Sequence, residues 1–191
     1  MAMTQTTLRN TSPKLDKERI PRMFWGKLFV WGLFTALMLL LGIKLYQTTL
    51  GPVSRGTAPD FTLTTFGGDS YTLSDHKGQL IVINFWASWC GPCELEADAL
   101  EQAWRQYRNH GVMFLGINYV DTENEALAYL KKWGVTYPNG PDIRTSISQD
   151  YRIKGVPETY IIAQDGTIAG TVIGPIEYNN LTSALDLLLN Q

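Results

Sequence analysis

The chain of 191 residues holds two cysteines, and both lie in one pentapeptide, Trp89-Cys90-Gly91-Pro92-Cys93. Thiols at this spacing can close a disulfide within one helical turn, and such pairs commonly carry a depressed thiol pKa. With Cys90 just before a helix and Cys93 in its first turn, orphan N–H groups and the positive dipole end would face the Cys90 sulfur and favour thiolate. Gly91 lets a partner backbone approach. Pro92 is tolerated at a helix start because its missing N–H would be an orphan there anyway. Cys93 is then placed to resolve a mixed disulfide formed by Cys90. Half of a zinc site is the competing chemistry, but structural zinc takes four ligands. Only His76 and His110, far apart in the chain, could complete it. No metal and no other cofactor is expected.

A second element, Lys154-Gly155-Val156-Pro157-Glu158-Thr159, stands directly before an apolar run. An X-Pro bond at such an edge can be cis, which leaves the Val156 backbone available to pair with an extended substrate strand.

These motifs need a scaffold, and the sequence alternates as an α/β chain should. Leu80–Trp86 (LIVINFW) and Val112–Asn118 read as strands buried on both faces. Phe61–Thr65 with Ser70–Leu73, and Thr159–Ala163 with Thr167–Ile173, read as hairpins. Helices are expected over Pro92–Asn109, Asn124–Trp133 and Ile176–Asn190. The first of these carries Glu94, Glu96, Asp98 and Glu101 early and Arg105 and Arg108 late, which complements the helix dipole.

Charge divides the chain in two. Residues 1–46 carry seven basic and two acidic side chains, whereas the remainder carries nine and sixteen. No basic, aromatic-interleaved stripe marks the acidic part, so nucleic acid is not an expected partner. Leu28–Ile43 is uncharged, and Lys27 and Lys44 bracket it and can snorkel, which brings the span near the ~20 residues a bilayer core requires. Trp25, Trp31 and Tyr46 suit the interfaces. A cleaved signal peptide would have a shorter apolar region and an A-x-A-like site, and Leu45–Gly56 offers none. The expected organisation is a cytoplasmic disordered tail (1–22), a transmembrane signal anchor (23–46), a linker (47–57) and one domain (58–191). Basic residues concentrated before the span put the N-terminus in the cytoplasm and the domain outside it. There the two thiols face an oxidising compartment.

The ordered motifs Ala58-Pro59-Asp60-Phe61-Thr62-Leu63, Asn84-Phe85-Trp86-Ala87-Ser88-Trp89-Cys90 and Gly155-Val156-Pro157-Glu158-Thr159-Tyr160 resemble those of the thioredoxin superfamily. More narrowly, they resemble its membrane-anchored TlpA-like branch, which includes the DsbE (CcmG)-type cytochrome c maturation proteins. The resemblance implies a thioredoxin-like fold, a central mixed sheet flanked by helices, behind an N-terminal transmembrane helix. It implies a membrane-tethered thiol:disulfide oxidoreductase that reduces protein disulfides, an apocytochrome c among them, and draws on a membrane electron donor.

By that resemblance Cys90 attacks, Cys93 resolves and Pro157 is the cis-proline facing them, with Trp89, Val156 and Glu158 at the substrate. Asn84 stands where cytosolic thioredoxins place a buried aspartate. Glu96 resembles the branch's proton-relaying glutamate, although a first-turn helix acid would look the same. Glu158 resembles the acid beside the cis-proline, although a solvated rim residue would too. Asp98 replaces a helix-kinking proline, and Gly91-Pro92 is the general thioredoxin dipeptide. Two other activities of similar folds fit less well. A peroxiredoxin-like site wants threonine where Ala87 stands, and a copper-delivery module wants a distant histidine, whereas none follows His110.

Overall fold

A computed structural model describes residues 22–49 and 51–190. The chain divides into two units between Thr49 and Leu50. The expected tail lies outside the described residues except for Arg22, the first residue of helix α1.

Helix α1 (Arg22–Thr49) is 28 residues long, about 42 Å at 1.5 Å per residue. Its Phe29–Tyr46 stretch is long and apolar enough to cross a membrane, and none of that stretch is buried within the unit. Gln47–Thr49, expected in the linker, belong to the helix.

The second unit is built on a five-stranded sheet. Strands β1 (Thr62–Thr64) and β2 (Ser70–Thr72) form a separate antiparallel pair. They are followed by β3 (Leu80–Trp86), α2 (Gly91–Tyr107), β4 (Val112–Asn118), α3 (Glu123–Trp133), β5 (Asn139–Pro141), α4 (Ser146–Tyr151), β6 (Glu158–Ile162), β7 (Ile168–Ile173) and α5 (Tyr178–Leu189). The main sheet has the order β5-β4-β3-β6-β7, parallel from β5 to β3 and antiparallel from β3 to β7.

The central strands are buried at every position, as their unbroken apolar runs require. Alternation sends Ile81, Ile83 and Phe85 to one core, which Leu63, Tyr151 and Tyr160 complete. Leu80 and Val82 point to the other, under Leu100 of α2 and Leu181 of α5. In the first core Tyr151 meets Phe61 and Tyr160 edge-on, with ring centroids 5.9 and 5.0 Å apart. Such pairs contribute about 0.5–1.5 kcal/mol each beyond area burial. A third apolar cluster joins Trp86, Cys90, Cys93, Ala97 and Tyr129, at the end of β3 where the site forms.

Two elements of the sheet layer escape the sequence reading. Strand β5 is only Asn-Gly-Pro, too short for a periodicity, and it exists because Gly116, Ile117 and Asn118 of β4 pair with it. Helix α4 has six residues and follows two left-handed residues, Arg144 and Thr145. The chain also docks earlier than position 58. Val53 N–H donates to Tyr151 O at 3.1 Å, Gly56 O accepts from Ile168 N–H at 2.9 Å, and Ala58 N–H donates to Gly166 O at 3.0 Å.

Gly140 leaves room for the first hairpin to cross β5. A Cβ there would overlap the Thr64 carbonyl and sit 2.9 Å from Leu63 Cδ1. Backbone cannot swing aside as a side-chain tip can. Gly140→Ala is therefore expected to lower stability by about 1–3 kcal/mol, read as a lower urea midpoint at unchanged slope.

Candidate active site

Parallel β3 delivers the chain to a turn from which α2 starts, and this puts the cysteines at a helix N-terminus. Cys90 is the N-cap residue, with extended backbone (φ −90°, ψ 101°) and Pro92 in the first turn. Its Sγ accepts from the Cys93 N–H at 3.1 Å, one of the donors left orphaned at a helix start. The two sulfurs are joined as a disulfide, with Cα atoms 5.3 Å apart. Cys90 is 4% and Cys93 1% exposed. The Val156–Pro157 bond is cis, and the Val156 carbonyl oxygen lies 3.4 Å from Cys90 Sγ. Two motifs 66 residues apart thus meet at one sulfur.

About one turn further along α2, Glu96 belongs to a buried polar network. Glu96, 1% exposed, accepts from Asn84 Nδ2 at 2.6 Å and from the Ile176 N–H at 2.9 Å. Asn84 donates its other hydrogen to Thr159 Oγ1 at 3.0 Å. Burial pushes the Glu96 carboxyl up to about 7, against the pull of the bonds from Ile176 and Asn84. Glu96 lies beyond the first turn of α2, where Glu94 is the acid, and is buried rather than on the helix surface.

The rim reading of Glu158 fails as well, because its side chain is 0% exposed. One carboxylate oxygen accepts from the backbone N–H of Lys154 at 2.6 Å and of Gly155 at 3.3 Å, and the other accepts from Tyr160 Oη at 3.0 Å. Strand pairing explains the burial, since Glu158 opens β6 opposite Phe85 in the sheet interior. The carboxylate thereby ties down the loop that presents Val156 and Pro157. Helix α2 runs unbroken through Asp98, whose carboxylate accepts from Gln102 Nε2 at 2.7 Å.

Several residues at the site carry no motif. Tyr129 of α3 donates to the Cys93 carbonyl at 2.9 Å and stacks on Trp86 with centroids 4.7 Å apart. Trp86 Nε1 donates to Asn139 Oδ1 at 2.8 Å. Gly116 makes room for this bond, because a Cβ there would overlap the Asn139 side chain. The Trp86–Asn139 bond depends on β5, so missing that strand hides it.

Trp89 is 59% exposed and donates its indole N–H to the Val120 carbonyl at 2.9 Å. Val120 itself sits at φ 44°, left-handed backbone that costs a β-branched residue about 1–3 kcal/mol. Next to it, Asp121 accepts from Ser88 N–H (2.7 Å), Ser88 Oγ (2.8 Å), Asn118 Nδ2 (3.0 Å) and Thr122 N–H (2.9 Å). Partial burial pushes its carboxyl up, but these bonds together bring it below its ordinary value. The only local signal for this cluster was the Thr122–Glu125 capping box that follows it.

The two histidines lie in other surroundings. His76 packs on Tyr71, and His110 pairs its ring nitrogen with the Gln106 carbonyl.

Comparison with known proteins agrees with this geometry. The family model described as AhpC/TSA matches residues 55–171. The thiol:disulfide interchange protein DsbE of Allochromatium vinosum is 36% identical over 154 residues, 76% of this chain and 82% of that protein. The thiol-disulfide oxidoreductase ResA of Bacillus subtilis is 26% identical over 161 residues, 82% of this chain and 90% of that protein. A thioredoxin-family thiol:disulfide interchange protein of Chlorobium tepidum shares the fold, with a TM-score of 0.66 at 24% identity over 71% of this chain and 97% of its own. The chain belongs to the AhpC/TSA family, within its thioredoxin-like members, and is a thiol-disulfide oxidoreductase of the ResA/DsbE type with Cys90 and Cys93 as its cysteine pair.

Proposed function

We propose that this chain is a membrane-tethered reductase of protein disulfides working outside the cytoplasm, with apocytochrome c as its client class. In the reduced protein the Cys90 thiolate attacks one sulfur of the client disulfide. A mixed disulfide forms, and the client's other sulfur leaves as a thiolate that takes up a proton. Glu96 then accepts the Cys93 proton, and the Cys93 sulfur attacks Cys90 Sγ. The client's remaining sulfur leaves as a thiolate and takes the proton that Glu96 holds, so the client departs as a dithiol and the pair is left as the Cys90–Cys93 disulfide. The client gains two electrons from the pair, one proton from Cys93 through Glu96 and one from water, and a membrane electron donor restores the dithiol. Trp89, Val156 and Pro157 border the attacking sulfur, while Glu158 holds the loop.

The observation that carries this reading is the buried Glu96 carboxyl, about one turn beyond Cys93 and pushed up to about 7. At neutral pH such a group takes and returns a proton with little bias, which suits it to freeing the resolving thiol. The tether reading draws on α1 and on the excess of basic residues before it. The client reading draws on the resemblance to cytochrome c maturation proteins, whose substrates carry a C-x-x-C-H to be kept reduced.

Labelling with a membrane-impermeant maleimide tests compartment and working state together. In spheroplasts of cells expressing the full chain, Cys90 should react without prior reductant. Failure to label until the membrane is permeabilised would refute the extracytoplasmic placement. Labelling only after added reductant would refute a pair kept reduced.

A further inference from the structure

We propose that Asp121 is a positioning residue for protein clients, the lock of a clamp that holds the Trp89 ring beside Cys90. Both flanks of Trp89 are tied to the loop joining β4 to α3. On the chain side, Ser88 gives its N–H and its hydroxyl to the two oxygens of Asp121. On the ring side, the indole N–H is given to the carbonyl of Val120. The Asp121 carboxylate also holds its own loop, through Asn118 Nδ2 and the Thr122 N–H. One side chain therefore joins the end of β4, the start of α3 and the approach to Cys90.

The clamp acts against local preference. Val120 is held in left-handed backbone at φ 44°, and such a conformation persists only where its surroundings over-determine it. Asp121, next in sequence, supplies those surroundings with four hydrogen bonds. An exposed indole fixed in one orientation presents a large apolar face at little further cost in entropy. Val120, 56% exposed, extends that face. A protein client lays chain across it, whereas a small disulfide needs only the sulfur. The clamp thus serves client affinity more than the exchange step.

This inference rests on the reading that Cys90 attacks protein disulfides. The test uses the full chain in nanodiscs, with insulin as the protein disulfide and 5,5′-dithiobis(2-nitrobenzoate) as the small one. Insulin reduction is driven by excess dithiothreitol, so it runs whatever the pair's own potential. Reaction with the small disulfide is followed as a single turnover of the pre-reduced chain, freed of dithiothreitol. A wrong direction of transfer would show in the potential, and a wrong clamp would show here.

Asp121→Ala should lower kcat/KM for insulin about tenfold through KM, equivalent to about 1.4 kcal/mol, and leave the small-disulfide rate within about twofold. Trp89→Ala should lower kcat/KM for insulin at least as far. The double variant should be no worse than Trp89→Ala alone, because the two share one effect. Asp121→Asn, which keeps one acceptor oxygen, should fall between. If Asp121→Ala does not fold, Ser88→Ala removes a single bond and should give about a threefold KM effect in the same direction. Losses that multiply in the double variant would overturn the proposal. So would equal losses, or none, on the two disulfides, whatever happens to the melting temperature.

Discussion

Cys90→Ser is expected to abolish disulfide reduction, at least a thousandfold below the parent chain, while Cys93→Ser stops turnover after one bond has exchanged. The asymmetry follows from the helix start. Cys90 Sγ is the atom that accepts the Cys93 N–H at the start of α2, where the helix dipole favours a thiolate, and it lies 3.4 Å from the Val156 carbonyl oxygen, beside the loop where a client strand would lie. Cys93 sits inside the first turn, beneath the Tyr129 contact to its own carbonyl. Its sulfur is buried and bonded to Cys90. In a Cys93→Ser chain the mixed disulfide therefore has no exit and accumulates. Mass spectrometry after incubation with oxidised client should find a stoichiometric adduct on Cys90. An adduct formed through Cys93 in the Cys90→Ser chain instead would reverse the two roles.

Glu96→Gln carries the second large effect. With no carboxyl to take the Cys93 proton, resolution should slow about a hundredfold, the lower end of what a positioned acid–base group contributes. The parent chain's resolution rate should rise through pH 7 as Glu96 loses its proton, and the variant should lack that inflection.

Stability should respond with the opposite sign. The Glu96 carboxyl titrates at about 7 in the folded chain, against an ordinary value of 4.5, because burial penalises its charged form. The stability this group contributes is therefore fully present below pH 4.5 and lost as pH rises through about 7. At 1.36 kcal/mol per unit, the loss over that window is on the order of 3 kcal/mol. Glu96→Gln should flatten this slope in urea melts run from pH 4.5 to 8. A variant that kept the slope would mean that another group titrates there.

Some of this was open to a reader of the sequence. LIVINFW and VMFLGIN are buried on both faces, so composition alone bounded β3 and β4 at their observed ends. Gly134 stops α3 in left-handed backbone at φ 63°, a conformation that costs glycine least. Cys90 and Cys93 needed only their spacing.

What escaped is held by long-range partners. Strand β5 has three residues and is specified by the β4 edge beside it. The burial of Glu158 depends on β6 lying against β3, and that of Glu96 on the Ile176 N–H eighty residues away. Asp121 looks like an ordinary loop acid until Ser88, 33 residues earlier, comes to meet it. The docking of residues 53–58 was hidden in the same way, because a Gly-Pro-rich stretch reads as a tether until β7 offers it an edge.

The direction of electron flow is the most consequential part of the account, and the reduction potential of the Cys90–Cys93 pair tests it most directly. Equilibrating the full chain with dithiothreitol mixtures of known poise, and counting free thiols at each, gives that potential. A value near −270 mV, as for a thioredoxin-like reductant, is the predicted result. A value near −120 mV would make the pair a disulfide donor and contradict the reductase account.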